Sequence, residues 1–112
     1  MKYVLNIFLS FLSIISHAND MSAVVAKVTG TGTYDDGSIY VFFDRAISSC
    51  TTTGRLDISA DHPANRNILS IAMAAFMSGK NVKIHPGSCD GNRPVFGNQG
   101  DSYLYLTDLP LT

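Results

Sequence analysis

Residues 24–44 read VVAKVTGTGTYDDGSIYVFFD, which is the pattern of a β-hairpin. The first half is rich in β-branched residues and is interrupted by Gly30 and Gly32, which predicts a bent strand. Residues 35–37, Asp-Asp-Gly, supply the turn. The second strand covers residues 38–44. Its alternation places Tyr40 and Phe42 on one face and Ile39, Val41 and Phe43 on the opposite face. Both faces of this strand are therefore expected to be at least partly covered.

The rest of the chain predicts a mainly β fold with one helix. The further elements are strands over residues 51–59, 81–85 and 102–107 and a helix over residues 64–78. Gly79 follows the helix as a typical C-terminal stop, and residues 86–101, rich in Gly, Asn and Pro, are expected to be mainly loop. The resulting order, β-β-β-α-β-β, is that of the OB-fold, a small five-stranded barrel. An α+β sandwich shares this order.

The N-terminus has the pattern of a secretory signal peptide. Lys2 precedes an uncharged run over residues 3–16, and Ser16 and Ala18 are the small residues of a cleavage site. A membrane anchor is the alternative, but the run is shorter than the ~20 residues that a spanning helix needs. The sequence therefore predicts a signal peptide over residues 1–18, one binding domain over residues 19–112, and secretion to the periplasm or the extracellular space.

Charge and motif content exclude several classes of function. The chain has 8 Lys and Arg against 9 acidic residues, a formal charge of -1, and its basic residues form no stripe. Nothing would therefore attract nucleic acid or an anionic membrane. The sequence contains no GxSxG or HExxH motif and no Gly-rich phosphate loop, and its Asp-Gly turns lack the Glu of a calcium loop. No metal or cofactor is expected.

Two cysteines, Cys50 and Cys89, are present. Their spacing is not the CxxC of a redox motif or a zinc site. Secretion places them in an oxidising compartment, where a disulfide is the usual outcome. In the predicted topology, the start of the third strand and the end of the fourth meet at one end of the fold, and the two cysteines lie there. The sequence therefore predicts a Cys50–Cys89 disulfide.

The predicted helix has no charged residue between Arg66 and Lys80. A surface helix normally presents a charged face to water. Helical spacing assigns to the core Ile68, Leu69, Ala72, Met73, Ala75 and Phe76. It leaves outward Asn67, Ser70, Ala74, Met77 and Ser78. Small side chains tolerate water, so an ordinary solvated face and a subunit interface between neighbouring helices both remain open.

Four segments of the sequence carry a family resemblance. They are MSAVV at residues 21–25, ISSC at 47–50, AFMSGKNVKI at 75–84 and PVF at 94–96. In this order they resemble the B subunits of subtilase cytotoxin and typhoid toxin, and the similarity covers most of residues 19–112. The resemblance implies an OB-fold that assembles as a homopentamer with its helices around a central pore. It also implies binding of sialylated glycans on the host surface and a separate toxin A subunit as partner.

The resemblance also implies positions for a sugar site. The family's Ser before the first strand corresponds to Ser22, and its acidic residue after the second strand corresponds loosely to Asp44. The family's tyrosine after the fourth strand falls at His85 or Pro86, so that hydroxyl is missing. The family's counterpart of Cys50 pairs with a cysteine on the second strand, where this chain has none.

Aromatic residues extend the predicted ligand surface. Tyr34, Tyr105 and the polar loop over residues 86–101 can all present groups to a ligand. The glycan-binding residues predicted from the sequence are Ser22, Asp44, His85, Tyr40 and Tyr103. The alternative function is a small periplasmic or extracellular enzyme in which His85 and Asp90, which are close in sequence, act as an acid–base pair.

Overall fold

The computed structural model describes residues 22–97 and 100–112. The predicted signal peptide lies outside these residues. Within them, a helix packs on a curled sheet of seven strands, so a mainly β fold with one helix is confirmed. The elements are β1 (Val24–Thr33), β2 (Ile39–Phe43), β3 (Arg55–Ile58), α1 (Asn65–Ser78), β4 (Asn81–His85), β5 (Ser88–Asp90), β6 (Arg93–Val95) and β7 (Tyr103–Thr107).

The prediction of five strands is wrong, because the segment expected to be loop forms two short strands. The strand order across the sheet is β5-β6-β3-β2-β1-β4-β7. Five of the six neighbouring pairs are antiparallel, and β3 runs parallel to β6 through the pairing of Asp57 with Val95. The β5–β6 hairpin therefore extends the first three strands at one edge of the sheet, and β7 forms the other edge.

The β1–β2 hairpin has the predicted turn, the predicted irregularity in β1 and the predicted buried face of β2. The N–H of Tyr34 donates to the carbonyl of Ser38 at 2.8 Å, and Gly37 has a φ of 93°, which favours glycine. The pairing register shifts between Val28 and Gly30, which is the expected irregularity in β1. The predicted apolar face of β2 is buried in a core cluster that also includes Leu56, Ile58, Val82, Ile84, Ile68, Ala72 and Ala75.

Helix α1 begins without a side-chain cap and is instead tied to the end of β3. The Nδ1 atom of His62 accepts the N–H of Ala64 at 3.0 Å, so its Nε2–H is free to donate to the carbonyl of Gly97 at 2.8 Å. The buried Asn65 side chain donates to the carbonyl of Ser59 at 3.0 Å. At the other end, Gly79 has a φ of 75° and closes the helix as predicted.

The outer surface of α1 is more apolar than predicted. The assignment of Met73 and Phe76 to the core is wrong, because they are 47% and 54% exposed, and Met77 is 80% exposed. The helix packs on the core through Ile68, Ala72 and Ala75, and Met73 and Phe76 lie outside this contact. We call the flank made by Leu69, Met73, Phe76 and Met77 the apolar stripe. Its spacing of i, i+4, i+7 and i+8 is typical of a helix-packing surface.

A disulfide joins Cys50 to Cys89, as predicted, with their Cα atoms 5.7 Å apart. It connects the loop that follows β2 to strand β5. The N–H of Thr52 also donates to the carbonyl of Asn92 at 2.7 Å, so the same loop is held to the β5–β6 turn by a second link. Over residues 22–97 and 100–112, no helix has the length and apolar character needed to cross a membrane.

Candidate functional site

The predicted glycan-binding residues lie in three different parts of the sheet. His85 and Tyr103 are directly paired on strands β4 and β7. Ser22 is exposed and lies two residues before Val24, which pairs with Ile84, so it belongs to the same end of the sheet. Asp44 lies at the end of β2, and Tyr40 lies in the middle of that strand. The structure therefore places His85 and Tyr103 in contact and Ser22 at the same end of the sheet.

His85, Tyr103 and Tyr105 form a row of rings that we call the aromatic ladder. The ring centroids of His85 and Tyr103 are 5.5 Å apart, and those of Tyr103 and Tyr105 are 5.7 Å apart with 25° between their planes. Alternate residues of a strand share a face, so both tyrosines point outward while Leu104 is buried. Tyr103 and Tyr105 are 38% and 43% exposed, which leaves much of each ring open to a ligand.

Polar groups accompany the aromatic ladder. The Nδ1 atom of His85 is buried and has no hydrogen-bond partner within the described residues. Buried polar atoms in proteins nearly always have a partner, which makes this ring nitrogen unusual. Lys83 is paired with Tyr105 in the β4–β7 register, so a cationic side chain lies on the same outer face. The ladder thus combines flat apolar rings with a positive charge and an unused ring nitrogen.

The carboxylate of Asp44 already accepts hydrogen bonds from other groups of the protein. The donors are Arg45 Nε at 2.9 Å, Arg45 Nη2 at 2.8 Å and the N–H of Lys27 at 3.0 Å. These contacts fasten the end of β2 to the neighbouring strand β1. The bidentate bond from Arg45 lowers the pKa of Asp44 from 3.8 to about 2. Asp44 therefore makes a fastening contact far from the ladder.

We expect Asp44→Asn to lower the free energy of unfolding by about 1–2 kcal/mol at neutral pH. The reason is that the folded state stabilises the charged carboxylate. This contribution is complete above the unfolded-state pKa, near 3.8, and is lost as the pH falls through the folded-state pKa of about 2. We place the loss below the full value of the pKa shift because Arg45 is the next residue and stays near Asp44 in the unfolded chain.

Urea unfolding of wild type and Asp44→Asn between neutral pH and about pH 2 tests this expectation. The two stability curves should converge at the acidic end. Asp101→Asn, at an exposed aspartate outside these contacts, is the matched control and should follow the wild type throughout. A constant difference between wild type and Asp44→Asn at every pH would contradict the assigned role of the charge.

Tyr40 lies in a second aromatic cluster, on the outer face of β1, β2 and β3. Its ring centroid is 5.4 Å from that of Tyr34 and 5.2 Å from that of Phe42. The guanidinium of Arg55 lies 5.1 Å from the Tyr40 ring centroid and also donates to the hydroxyl of Tyr34. Arg55 Nε donates to Asp57 Oδ1 at 2.8 Å. The ring of Tyr40 is therefore half-buried under a fixed cation.

A cleft of about 790 Å³ adjoins this cluster, between the β1–β2 turn and the β5–β6 hairpin. Arg93 Nη1 contacts Asp57 Oδ2 at 2.9 Å across its wall, so two arginines from different strands hold one carboxylate. The lining residues are Tyr34, Asp35, Asp36, Ser38, Ile39, Asp57, Ile58, Ser59, Ser88, Cys89, Asp90, Arg93, Val95 and Phe96. Tyr34 and the loop over residues 86–101, which the sequence marked as possible ligand surface, both line this cleft. The ion-paired wall of Asp57 and Arg93 was not predicted, since these residues belong to no motif.

His85 and Asp90 do not form the predicted acid–base pair by a hydrogen bond within the described residues. Asp90 lines the cleft, whereas His85 belongs to the aromatic ladder and its Nδ1 atom has no partner. In residues 22–97 and 100–112, no three His, Cys, Asp or Glu side chains are grouped so as to hold a metal ion. The arrangement offers two surfaces for binding, the ladder and the cleft.

Neither a protein-family model, nor a curated protein, nor a solved structure matches this chain. The chain's own side chains must therefore carry any functional conclusion. The exposed, stacked rings of the aromatic ladder are the feature with the most direct chemical meaning.

Proposed function

We propose that this protein is a secreted glycan-binding subunit whose sugar-contacting surface is the aromatic ladder. The observation that carries the proposal is the pair of stacked, exposed rings of Tyr103 and Tyr105 beside His85. Exposed aromatic rings that are aligned on one face favour a ligand with a flat apolar side and polar edges. The C–H face of a pyranose ring has this shape, and its hydroxyls can reach the groups around the ladder.

The charge beside the aromatic ladder favours an acidic sugar. Lys83 shares the outer face with Tyr105 and can pair with the carboxylate of a terminal sialic acid. The Nδ1 atom of His85 is buried, so a sugar contacts the exposed rings of Tyr103 and Tyr105 rather than this nitrogen. Ser22, which the toxin family resemblance assigns to the sugar site, lies at the same end of the sheet. A sialylated host glycan is therefore the ligand we propose.

The proposed assembly is a homopentamer of OB-fold-like subunits that accompanies a separate toxin A subunit. Strand β1 pairs with both β2 and β4, β7 pairs with β4, and β6 runs parallel to β3, an arrangement that supports a barrel-like wall. The apolar stripe of α1 offers a surface for neighbouring helices. The N-terminal pattern and the disulfide support secretion, since disulfides persist in oxidising compartments.

We expect Tyr103→Ala to weaken glycan binding about tenfold or more, because truncating an aromatic contact residue commonly costs over about 1–2 kcal/mol. A glycan array probed with the protein lacking residues 1–18 identifies a sialylated glycan that it binds. Isothermal titration then compares wild type and variant with that glycan. The melting temperature should change little, since the Tyr103 ring is exposed.

Phe42→Ala is the matched control for Tyr103→Ala. Phe42 is 39% exposed, close to the value for Tyr103, but it lies in the cluster around Arg55 and outside the ladder. Its replacement should leave glycan affinity unchanged. The proposal fails if no sialylated glycan binds, or if the two alanine variants bind that glycan equally well.

A further inference from the structure

The cleft beside the β1–β2 turn has the size of a small-molecule site. Its volume of about 790 Å³ falls within the roughly 300–1,000 Å³ that is typical of ligand pockets. A single lysine or arginine side chain from a partner protein would leave most of it empty. The cleft is also separate from the aromatic ladder, because His85, Tyr103 and Tyr105 do not line it.

The walls of the cleft are held in place before any ligand arrives. On one side, Asp36 Oδ1 accepts the N–H of Ser38 at 2.9 Å, which fixes the β1–β2 turn. On the other side, Cys89 is tied by its disulfide to Cys50. The N–H of Phe96 donates to the carbonyl of Asp57 at 3.0 Å and so joins the two sides. A preformed site avoids part of the ordering cost of binding.

The charges of the cleft select against an acidic ligand. Asp57 is neutralised by Arg55 and Arg93. In the part of the chain that the structure describes, no cationic side chain forms an ion pair with Asp35, Asp36 or Asp90. All three line the cleft and are exposed. A sialic acid would meet this excess of carboxylate as a like charge, whereas an ammonium group would find acceptors on both walls.

The remaining lining suits a ring with one apolar face. Ile39 and Ile58 are buried beneath the cleft, and the aromatic rings of Tyr34 and Phe96 border it. Ser38, Ser59 and Ser88 place hydroxyls around this apolar floor. Because Ile39 and Ile58 are 2% and 0% exposed, the rings of Tyr34 and Phe96 are the apolar groups that can cover the C–H face of a sugar, while serine and aspartate side chains bind its hydroxyls. The hydroxyls of Ser38 and Ser59 already donate to Asp36 and Asp61, and their oxygens remain able to accept a hydrogen bond from a sugar hydroxyl.

We propose that the cleft is a second binding site, specific for an amino sugar, that is, a pyranose carrying a free amino group. The rings of Tyr34 and Phe96 contact the sugar ring, and Asp35 and Asp90 accept hydrogen bonds from the ammonium group and the neighbouring hydroxyls. This site is independent of the aromatic ladder and has the opposite charge preference. The protein would then bind two chemically different sugars on two separate surfaces.

The test compares β-linked glucosamine disaccharide with its N-acetylated counterpart by isothermal titration at low salt. The two probes differ in the ammonium group, so the amine should bind about tenfold more tightly than the acetamide. Asp90→Asn and Asp35→Asn should each weaken amine binding about threefold to tenfold. Asp101→Asn, at an exposed aspartate outside the cleft lining, should have no effect. Circular dichroism confirms that each variant is folded.

Three outcomes overturn the proposal: no binding of the amine, equal binding of amine and acetamide, or full binding by Asp90→Asn and Asp35→Asn together. Tyr103→Ala separates the two sites. It should keep the amino-sugar affinity of the wild type while losing affinity for the sialylated glycan. Loss of both affinities in Tyr103→Ala would show that the cleft is not an independent site.

Discussion

Replacing both Cys50 and Cys89 with serine is expected to lower the free energy of unfolding by about 4 kcal/mol. The disulfide joins residues that are 39 apart in sequence, and a cross-link over that span restricts the unfolded chain strongly. Small domains are stable by only about 5–15 kcal/mol, so this loss would remove a large share of the total. Guanidinium unfolding of wild type and double variant measures the difference directly.

The position of the disulfide predicts which part of the fold loses protection when it is removed. All residues of β5 are exposed, and this strand pairs only with β6. Without the link to Cys50, the β5–β6 hairpin is held by buried Pro94, by the single β3–β6 pairing and by the Thr52–Asn92 hydrogen bond, a smaller attachment than that of the β1–β2 hairpin. Amide hydrogen exchange should therefore rise first in residues 88–95, while the β1–β2 hairpin stays protected. Ser49→Ala, at an exposed neighbouring position that leaves the disulfide in place, is the control. A stability loss below about 1 kcal/mol in the double variant would contradict this account.

Local chemistry was enough to predict the first hairpin. The Asp-Asp-Gly turn, the alternation of β2 and the glycine-rich irregularity of β1 each depend on residues that are close in sequence. Gly79 likewise ends the helix for a local reason, since its left-handed φ is costly for other residues. The disulfide could be predicted because only one pairing of two cysteines exists. Apart from the disulfide, the confirmed features are therefore those that neighbouring residues decide.

The features that the sequence did not reveal depend on distant partners. Strands β5 and β6 have three residues each, and β6 contains Pro94, so neither has a strand pattern of its own. They form because β6 lies beside β3. In the helix, periodicity identified the apolar residues but could not tell how wide a surface the sheet would offer. The sheet covers Ala72 and Ala75 and leaves Met73 and Phe76 outside.

The features of the candidate site also fall into those predictable from local sequence and those that depend on distant partners. Period-2 alternation along β7 places Tyr103 and Tyr105 on one face, but the contact of Tyr103 with His85 depends on the β4–β7 register. The bond from Arg45 that occupies Asp44 was not visible as a motif. The cleft depends on the approach of the β5–β6 hairpin to the β1–β2 turn, which no local pattern indicates. Predicting it requires the strand order of the whole sheet.

Met77→Glu is expected to dissociate the proposed homopentamer while leaving each subunit folded. Met77 is 80% exposed and belongs to the apolar stripe, together with Met73 and Phe76. In a ring built on this stripe, the new carboxylates would be buried without partners, at a cost of about 3–5 kcal/mol for each uncompensated charge. In a monomer the same charge would stay in water, with an effect within about 0.5 kcal/mol. The two cases therefore differ by far more than the error of a stability measurement.

Light scattering of wild type and Met77→Glu over a range of concentrations separates the two cases. The wild type should have the mass of an oligomer, and the variant should have the mass of one subunit with an unchanged melting temperature. Asn67→Glu adds the same charge to an exposed position outside the apolar stripe and should leave the oligomer intact. If the wild type itself has the mass of one subunit at high concentration, the stripe is not an interface between copies. The stripe would then be either a solvated helix surface or a contact for a different protein.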